Sequence, residues 1–258
     1  MKWVHTLLAA AALSQLVSAG GAFAGENLDA VKSAGTLKIG TEGTYAPFTY
    51  HDESGALVGF DVEIGQEVAK RLGVKAEFLE GKWDGLIAGL DAKRYDAVIN
   101  QVGITEERKK KYDFSEPYIA SKAVLIVKAD NAEIKDFPDL KDKKAAQSLS
   151  SNFGKIAADA GAELVGTDGF DQSIQLVLTG RADATINDSL SYLDFKKHKP
   201  DAPVKIAAEQ ANADYSGIII RKEEPELLEA INKALAEIKA DGTYETISQK
   251  YFGADVSK

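Results

Sequence analysis

Residues 84–100, DGLIAGLDAKRYDAVIN, lie over residues 171–187, DQSIQLVLTGRADATIN, without a gap, and seven of the 17 positions are identical. The identities are Asp84/Asp171, Ile87/Ile174, Arg94/Arg181, Asp96/Asp183, Ala97/Ala184, Ile99/Ile186 and Asn100/Asn187. Apolar residues recur at three- and four-residue spacing, Leu86, Ile87 and Leu90 in one copy and Ile174, Val177 and Leu178 in the other, which predicts a helix in each. An Arg-x-Asp-Ala turn and a brief apolar strand ending in Asn follow. A chain that uses this unit twice is constrained to two similar α/β halves, because each helix must bury its apolar stripe against its own sheet.

The remaining chain fits that plan. Apolar runs predict strands near 37–41, 75–79, 97–100, 145–148, 163–166, 184–187 and 204–207, with helices alternating between them. A helix is expected over 61–72, with Asp61 as N-cap, an apolar ridge of Ile64, Val68 and Leu72, and Gly73 as terminator. Another is expected over 225–240, with Pro225 in its first turn and Gly242 beyond its end. Two long β-rich stretches, 118–128 and 215–221, flank the second half and are the natural crossings between lobes. The first lobe is therefore expected to be discontinuous, 25–118 plus 217–258, with 119–216 forming the hinge strands and second lobe. Ligands of open α/β sheets bind beyond the carboxyl ends of the strands, so the two repeat units are expected to face one another across a cleft that a two-strand hinge can close.

Residues 1–24 follow a different pattern. Lys2 gives a positive start, 7–17 is apolar except for Ser14 and Gln15, and Ala22-Phe23-Ala24 has the small residues of a cleavage site, so a signal peptide with a mature start at Gly25 is expected. The apolar run is shorter than the roughly 18 residues of a membrane-spanning helix. Removing the leader takes one of 31 basic residues and none of the 40 acidic ones, leaving 30 against 40 and a net charge near −10, a poor match to nucleic acid or an anionic membrane. The chain has no cysteine, hence no disulfide, thiolate nucleophile or lipid-anchoring thiol. His51 and His198 lack ligand spacing, so no metal and no cofactor is expected. Export without an anchor points to a soluble monomer in a Gram-negative periplasm.

Recognition chemistry is expected where the repeat strands end. After the first come Gln101, Gly103, Thr105 and Arg108; after the second comes Asp188. A guanidinium on one wall and a carboxylate on the other match the carboxylate and ammonium of a free amino acid. Arg108 also opens the basic run 108–111, which suits a solvated helix face, and Asp188 suits equally well the N-cap of a helix over 189–196. Ser151 and Asn152, in the Ser150-Ser151-Asn152 turn, open a helix toward Ala160 and offer N–H groups to an anion or simply cap that helix. Tyr45, Trp83 and Glu42 sit just after strands, where they can wall a side-chain pocket.

GTEGTYAPFTY, LVGFDVEIGQEVAKRLGV, KWDGLIAGLDAKRYDAVINQVGITEERKKKYDFSEPY, INDSL and QKYFGADV together resemble the polar amino acid family of extracellular solute-binding proteins, of the type II periplasmic binding protein fold, over the whole mature chain. Residues 82–118 and the final YFGADV are most similar to cystine-binding members. The resemblance implies that Arg108 holds the ligand α-carboxylate, Gly103 and Thr105 contact the α-amino and carboxylate groups, Asp188 takes the ammonium, Ser151 supplies a second-lobe backbone donor, and Tyr45 and Trp83 pack on the ligand. It also implies an ABC importer permease as partner. The chain departs from the pattern at Ser150-Ser151-Asn152, where many relatives have Gly-Thr, and at Glu42, where many have Asp. Cystine is the first expectation, with cysteine or another polar amino acid next.

Two other readings use the same features. A periplasmic enzyme on this architecture, such as a cyclohexadienyl or arogenate dehydratase, needs a positioned acid or base, and Glu42 is the only candidate. The chain lacks G-x-S-x-G, Walker, G-x-G-x-x-G and H-E-x-x-H motifs, which leaves most enzyme classes without support and no residue assigned as catalytic. A sensor or surface antigen that binds ligand without transporting it is not distinguished from a transport component by sequence.

Overall fold

The computed structural model describes residues 26–257, so the expected leader and the start at Gly25 lie outside the described residues. Two five-stranded sheets carry the fold. The first runs in the order Lys75–Glu80, Thr36–Thr41, Ala97–Val98, Ile219–Arg221, Tyr112–Phe114; the second runs Glu163–Gly166, Lys144–Gln147, Ala184–Asp188, Ala123–Lys128, Val204–Glu209. In each, the first three strands are parallel and the fourth is antiparallel to both of its neighbours. The repeat strands thus occupy the same third position in sheets of the same pattern.

The duplicated turn explains part of this equivalence. Asp96 accepts a hydrogen bond from the Lys38 N–H at 2.8 Å, and Asp183 accepts one from the Lys144 N–H at 2.8 Å. The same Asp in each copy therefore ties the repeat to the strand beside it. Ala97 and Ala184, next in sequence, are both fully buried, where a small side chain lets helix and strand pack closely.

Helix Phe60–Arg71 places Ile64 and Val68 in the first lobe's core against Leu227, Ile231, Leu235 and Ile238 of helix Pro225–Ala240. Asp61 is not its N-cap. Gly59 holds that position with φ 133° and no side-chain cap bond, and a Cβ there would meet the Phe48 carbonyl oxygen at 2.2 Å. Asp61 instead lies in the first turn, fully buried, with its carboxylate turned toward the repeat strand. A periodicity argument sees only the helix axis and misses this tertiary partner.

The crossings are each broken rather than continuous. Ile119–Ser121 pairs with Asp214–Ser216 in a separate two-stranded ribbon between the sheets. The chain then enters the second sheet as Ala123–Lys128 and returns to the first as Ile219–Arg221. At the second break a Cβ on Gly217 would sit 3.2 Å from the Ser115 carbonyl and Ile104 Cδ1, so the ribbon is packed closely onto the loop after the first repeat. The first repeat strand is also shorter than expected, ending at Val98, while the second runs one residue further, to Asp188.

Candidate functional site

A cavity lies between the sheets, beyond the strand ends, and both repeat units contribute to it: Asn100, Gln101 and Gly103 from one side, Asn187 and Asp188 from the other. Glu42, Tyr45, Trp83, Ser151 and Asn152 also line it. Arg108 and Thr105 line an adjoining, more open part of the cleft, which shares Trp83, Gly103, Ser151, Asn152 and Asp214 with the first. All ten residues singled out from sequence therefore gather along one cleft, Arg108 and Thr105 in its mouth and the others in its inner part.

Each repeat ends in an asparagine that organises a loop of the first lobe. Asn100 accepts from the Glu42 N–H at 2.7 Å and donates to the Glu42 carboxylate at 2.6 Å, fixing that side chain. Burial pushes the Glu42 carboxyl up to about 7, with the Asn100 bond and the Trp83 N–H opposing the rise. Asn187 instead accepts from the Tyr45 hydroxyl at 2.8 Å, a bond that crosses the cleft. The shared asparagines were visible in the repeat, but their partners lie 58 and 142 residues away and leave no local trace.

Arg108 lies over the Trp83 ring, with its guanidinium carbon 5.2 Å from the ring centroid. Its Nη1 donates to the Gly103 carbonyl at 2.9 Å, and its Nη2 reaches the Ser150 carbonyl of the second lobe at 3.5 Å. No carboxylate forms a salt bridge with it among the described residues, and desolvation draws its guanidinium down to about 10. A cation held by main-chain carbonyls at the mouth of the cleft is poised to take an anion. Helix Glu106–Lys109 has a single turn, with Thr105 as N-cap accepting from the Arg108 N–H at 3.2 Å, which sets where the guanidinium starts.

Asp188 does cap the following helix, Ser189–His198, accepting from the Leu190 N–H at 2.8 Å, and its other oxygen accepts a short bond from the Ser121 hydroxyl. It also lines the cavity, and burial raises its carboxyl to about 6. Capping and facing the cleft are compatible, since each carboxylate oxygen has a second lone pair. Ser151 likewise caps helix Asn152–Asp159 through the Gly154 N–H at 2.9 Å while lining the cleft.

Two buried polar atoms of cavity-lining residues, Gln101 Oε1 and Trp83 Nε1, have no hydrogen-bond partner. Further residues that sequence reasoning did not single out for this site are Asp61, which binds Gln101, and Asp84. From the first lobe, Asp84 accepts from the Ser150 N–H at 2.9 Å and the Ser150 hydroxyl at 2.7 Å in the second. Ser191 to the Ala46 carbonyl at 2.7 Å and Lys82 to Asp168 at 2.6 Å also bridge the lobes. The cleft is therefore closed by direct contacts.

The family model for bacterial extracellular solute-binding proteins, family 3, matches residues 37–254. The chain is 49% identical over 229 residues to the L-cystine-binding protein TcyA of Bacillus subtilis, covering 88% of this chain and 85% of that one. Among solved structures, it matches an ancestral arginine-binding protein bound to arginine with a TM-score of 0.80 at 45% identity, over 85% of this chain and 99% of the other. It matches the L-cystine solute receptor of Neisseria gonorrhoeae, in the unliganded open conformation, with a TM-score of 0.60 at 47% identity, over 91% and 100%. The sequence more alike gives the lower score, and its open conformation contrasts with the cross-cleft bonds here.

Proposed function

Because this chain belongs to the bacterial extracellular solute-binding proteins of family 3, we propose that it captures a polar L-amino acid, cystine first, in the cleft between its lobes and delivers it to an ABC importer permease. The observation that carries this reading is the placement of an unpaired guanidinium and a buried carboxylate along one cleft at the ends of duplicated units. Arg108 takes the ligand carboxylate, with Gly103, Thr105 and the Ser151–Asn152 helix start assisting. Asp188 takes the ammonium. Tyr45, Trp83 and Glu42 enclose the remainder, and the likeness to the L-cystine-binding protein TcyA favours cystine among amino acids.

Each charge-assisted bond contributes about 1.5–3 kcal/mol, so four contribute about 6–12. Micromolar binding corresponds to about 8 kcal/mol, before ordering costs are subtracted. Lobes formed by 25–118 with 217–258 and by 119–216 close on the ligand by bending at the Ile119–Ser121 and Asp214–Ser216 ribbon, and the closed monomer docks on the permease in the periplasm. The relatives are named as binding proteins, which does not favour a dehydratase. Isothermal titration of refolded, ligand-free protein against cystine, cysteine and the polar amino acids is expected to give binding with one ligand per chain. Silence across that panel would remove the reading.

A further inference from the structure

Gln101 is a non-glycine residue in left-handed backbone, with φ 51°, and only 8% of its surface is exposed. Such a conformation is disfavoured and persists only where the surroundings impose it. Here the fully buried Asp61 imposes it. One carboxylate oxygen accepts from the Gln101 N–H at 2.8 Å, and the other accepts from Gln101 Nε2 at 2.7 Å and from the Tyr118 hydroxyl at 3.0 Å. With Nε2 tied to a carboxylate, the amide has one possible orientation, because the swapped one would set oxygen against oxygen. Its Oε1 is consequently a fixed acceptor, and it is the buried oxygen left without a partner in a residue that lines the cavity. Orphaned buried acceptors are uncommon and are expected to find a partner in the working state.

We infer that Asp61 is a positioning residue that holds Gln101 so that its Oε1 accepts a hydrogen bond from the ligand's ammonium, alongside Asp188. This rests on the amino-acid reading above. An ammonium has three N–H donors, whereas each oxygen of Asp188 already accepts one bond, from Leu190 or Ser121, and keeps one free lone pair, so Asp188 serves at most two of them and the third requires a further acceptor, which Gln101 Oε1 provides.

The test compares the amino acid of the panel that binds, cystine first, with its deaminated acid, dithiodipropionic acid for cystine, using displacement titrations so that weak binding is still measured. For Gln101→Met the affinity for the amino acid is expected to fall about tenfold while that for the deaminated acid holds within about twofold, so the ratio between them collapses. Asp61→Asn is expected to move the ratio in the same direction, and to add nothing further in the Gln101→Met background, as befits a residue acting through another. If Asp61→Asn does not fold, Gln101→Gly, which adopts the left-handed backbone unaided, is expected to lose the ratio as fully as Gln101→Met. A wild-type ratio in Gln101→Met or Gln101→Gly would overturn the assignment, and a wild-type ratio in folded Asp61→Asn would overturn the positioning role. Absence of any amino acid binding by the unmodified protein would instead overturn the underlying function.

Discussion

The repeat units 84–100 and 171–187 agree up to their final asparagines and diverge one residue later. Before that point they share the Asp that ties the neighbouring strand, the buried Ala, and the third place in the sheet. After it, Gln101 turns left-handed and leads to Arg108, whereas Asp188 stays extended, with φ −69° and ψ 136°, and starts a helix at once. Common residues build the two halves of the scaffold, and the residues that differ give one wall a cation and the other an anion. Two like walls would suit a group of one charge; these unlike walls suit a group that carries opposite charges on the two substituents of one carbon.

The sharpest way to break that contrast is to erase the cation. Arg108→Ala is expected to weaken amino acid binding by about 100-fold or more, the loss of a charge-assisted anchor worth about 3 kcal/mol, while leaving the thermal midpoint of the ligand-free protein nearly unchanged. Titration together with a thermal melt checks both halves. An equal fall in stability would mean that the guanidinium stacked on Trp83 is a packing element of the first lobe.

The next effect separates the two asparagines. Asn100 fixes Glu42, whose carboxyl is raised from its ordinary 4.5 to about 7, chiefly by burial; Asp84 adds to the rise. In the closed cleft Gly169 of the second lobe stands over it, so close that a Cβ there would lie 3.9 Å from Glu42 Oε1. Opening the cleft returns the carboxyl toward its ordinary value, so closing takes up a proton. Closure is then unpenalised below about 4.5, weakens as pH rises from there to about 7, and levels off above. For a ligand that brings no cation to Glu42, affinity is expected to fall, relative to the Glu42→Gln variant, by up to tenfold per pH unit inside that window, the variant keeping the opposite dependence set by Asp188, whose carboxyl stands at about 6. The other ionisable residues of the inner cavity are Tyr45, Lys122, Asp188 and Asp214. Asp61 is enclosed within the first lobe, and Asp188 is bound within the second by Ser121 and Leu190. The difference between the two profiles therefore isolates Glu42. A ligand ammonium seated on Glu42 would reverse the sign, and titration in buffers of different ionisation enthalpy reads which occurs.

What sequence made legible follows the same division. The repeat, the helix ridge of Ile64 and Val68, and the loops carrying Arg108 and Asp188 are local patterns, and periodicity exposes them. Asp61 shows the limit: a carboxylate near a helix start reads as a cap, and only the fold reveals Gln101 and Tyr118 closing around it. The breaks in the crossings were equally hidden, since Ala120 to Lys128 is strand-like throughout and only the pairing with Asp214–Ser216 decides where one sheet stops. Cross-cleft partners such as Tyr45 and Asn187 belong to no local pattern at all.

The smallest expected effect returns to the first identity of the repeat. Asp84 and Asp171 each lie in the first turn of a helix, where a negative charge is favoured by the helix dipole. Only Asp84 also reaches the opposite lobe, accepting two hydrogen bonds from Ser150 near the guanidinium of Arg108. These bonds exist in the closed cleft and are exposed at its rim, where such contacts are worth little individually. Asp84→Asn should therefore weaken ligand binding about two- to fivefold, mainly through faster release, whereas Asp171→Asn should leave affinity unchanged; stopped-flow dissociation of the bound amino acid measures both. Equal effects from the two substitutions would trace the role of Asp84 to its own helix, and the cleft would then be held shut by the ligand and the contacts of Tyr45, Ser191, Lys82 and Arg108.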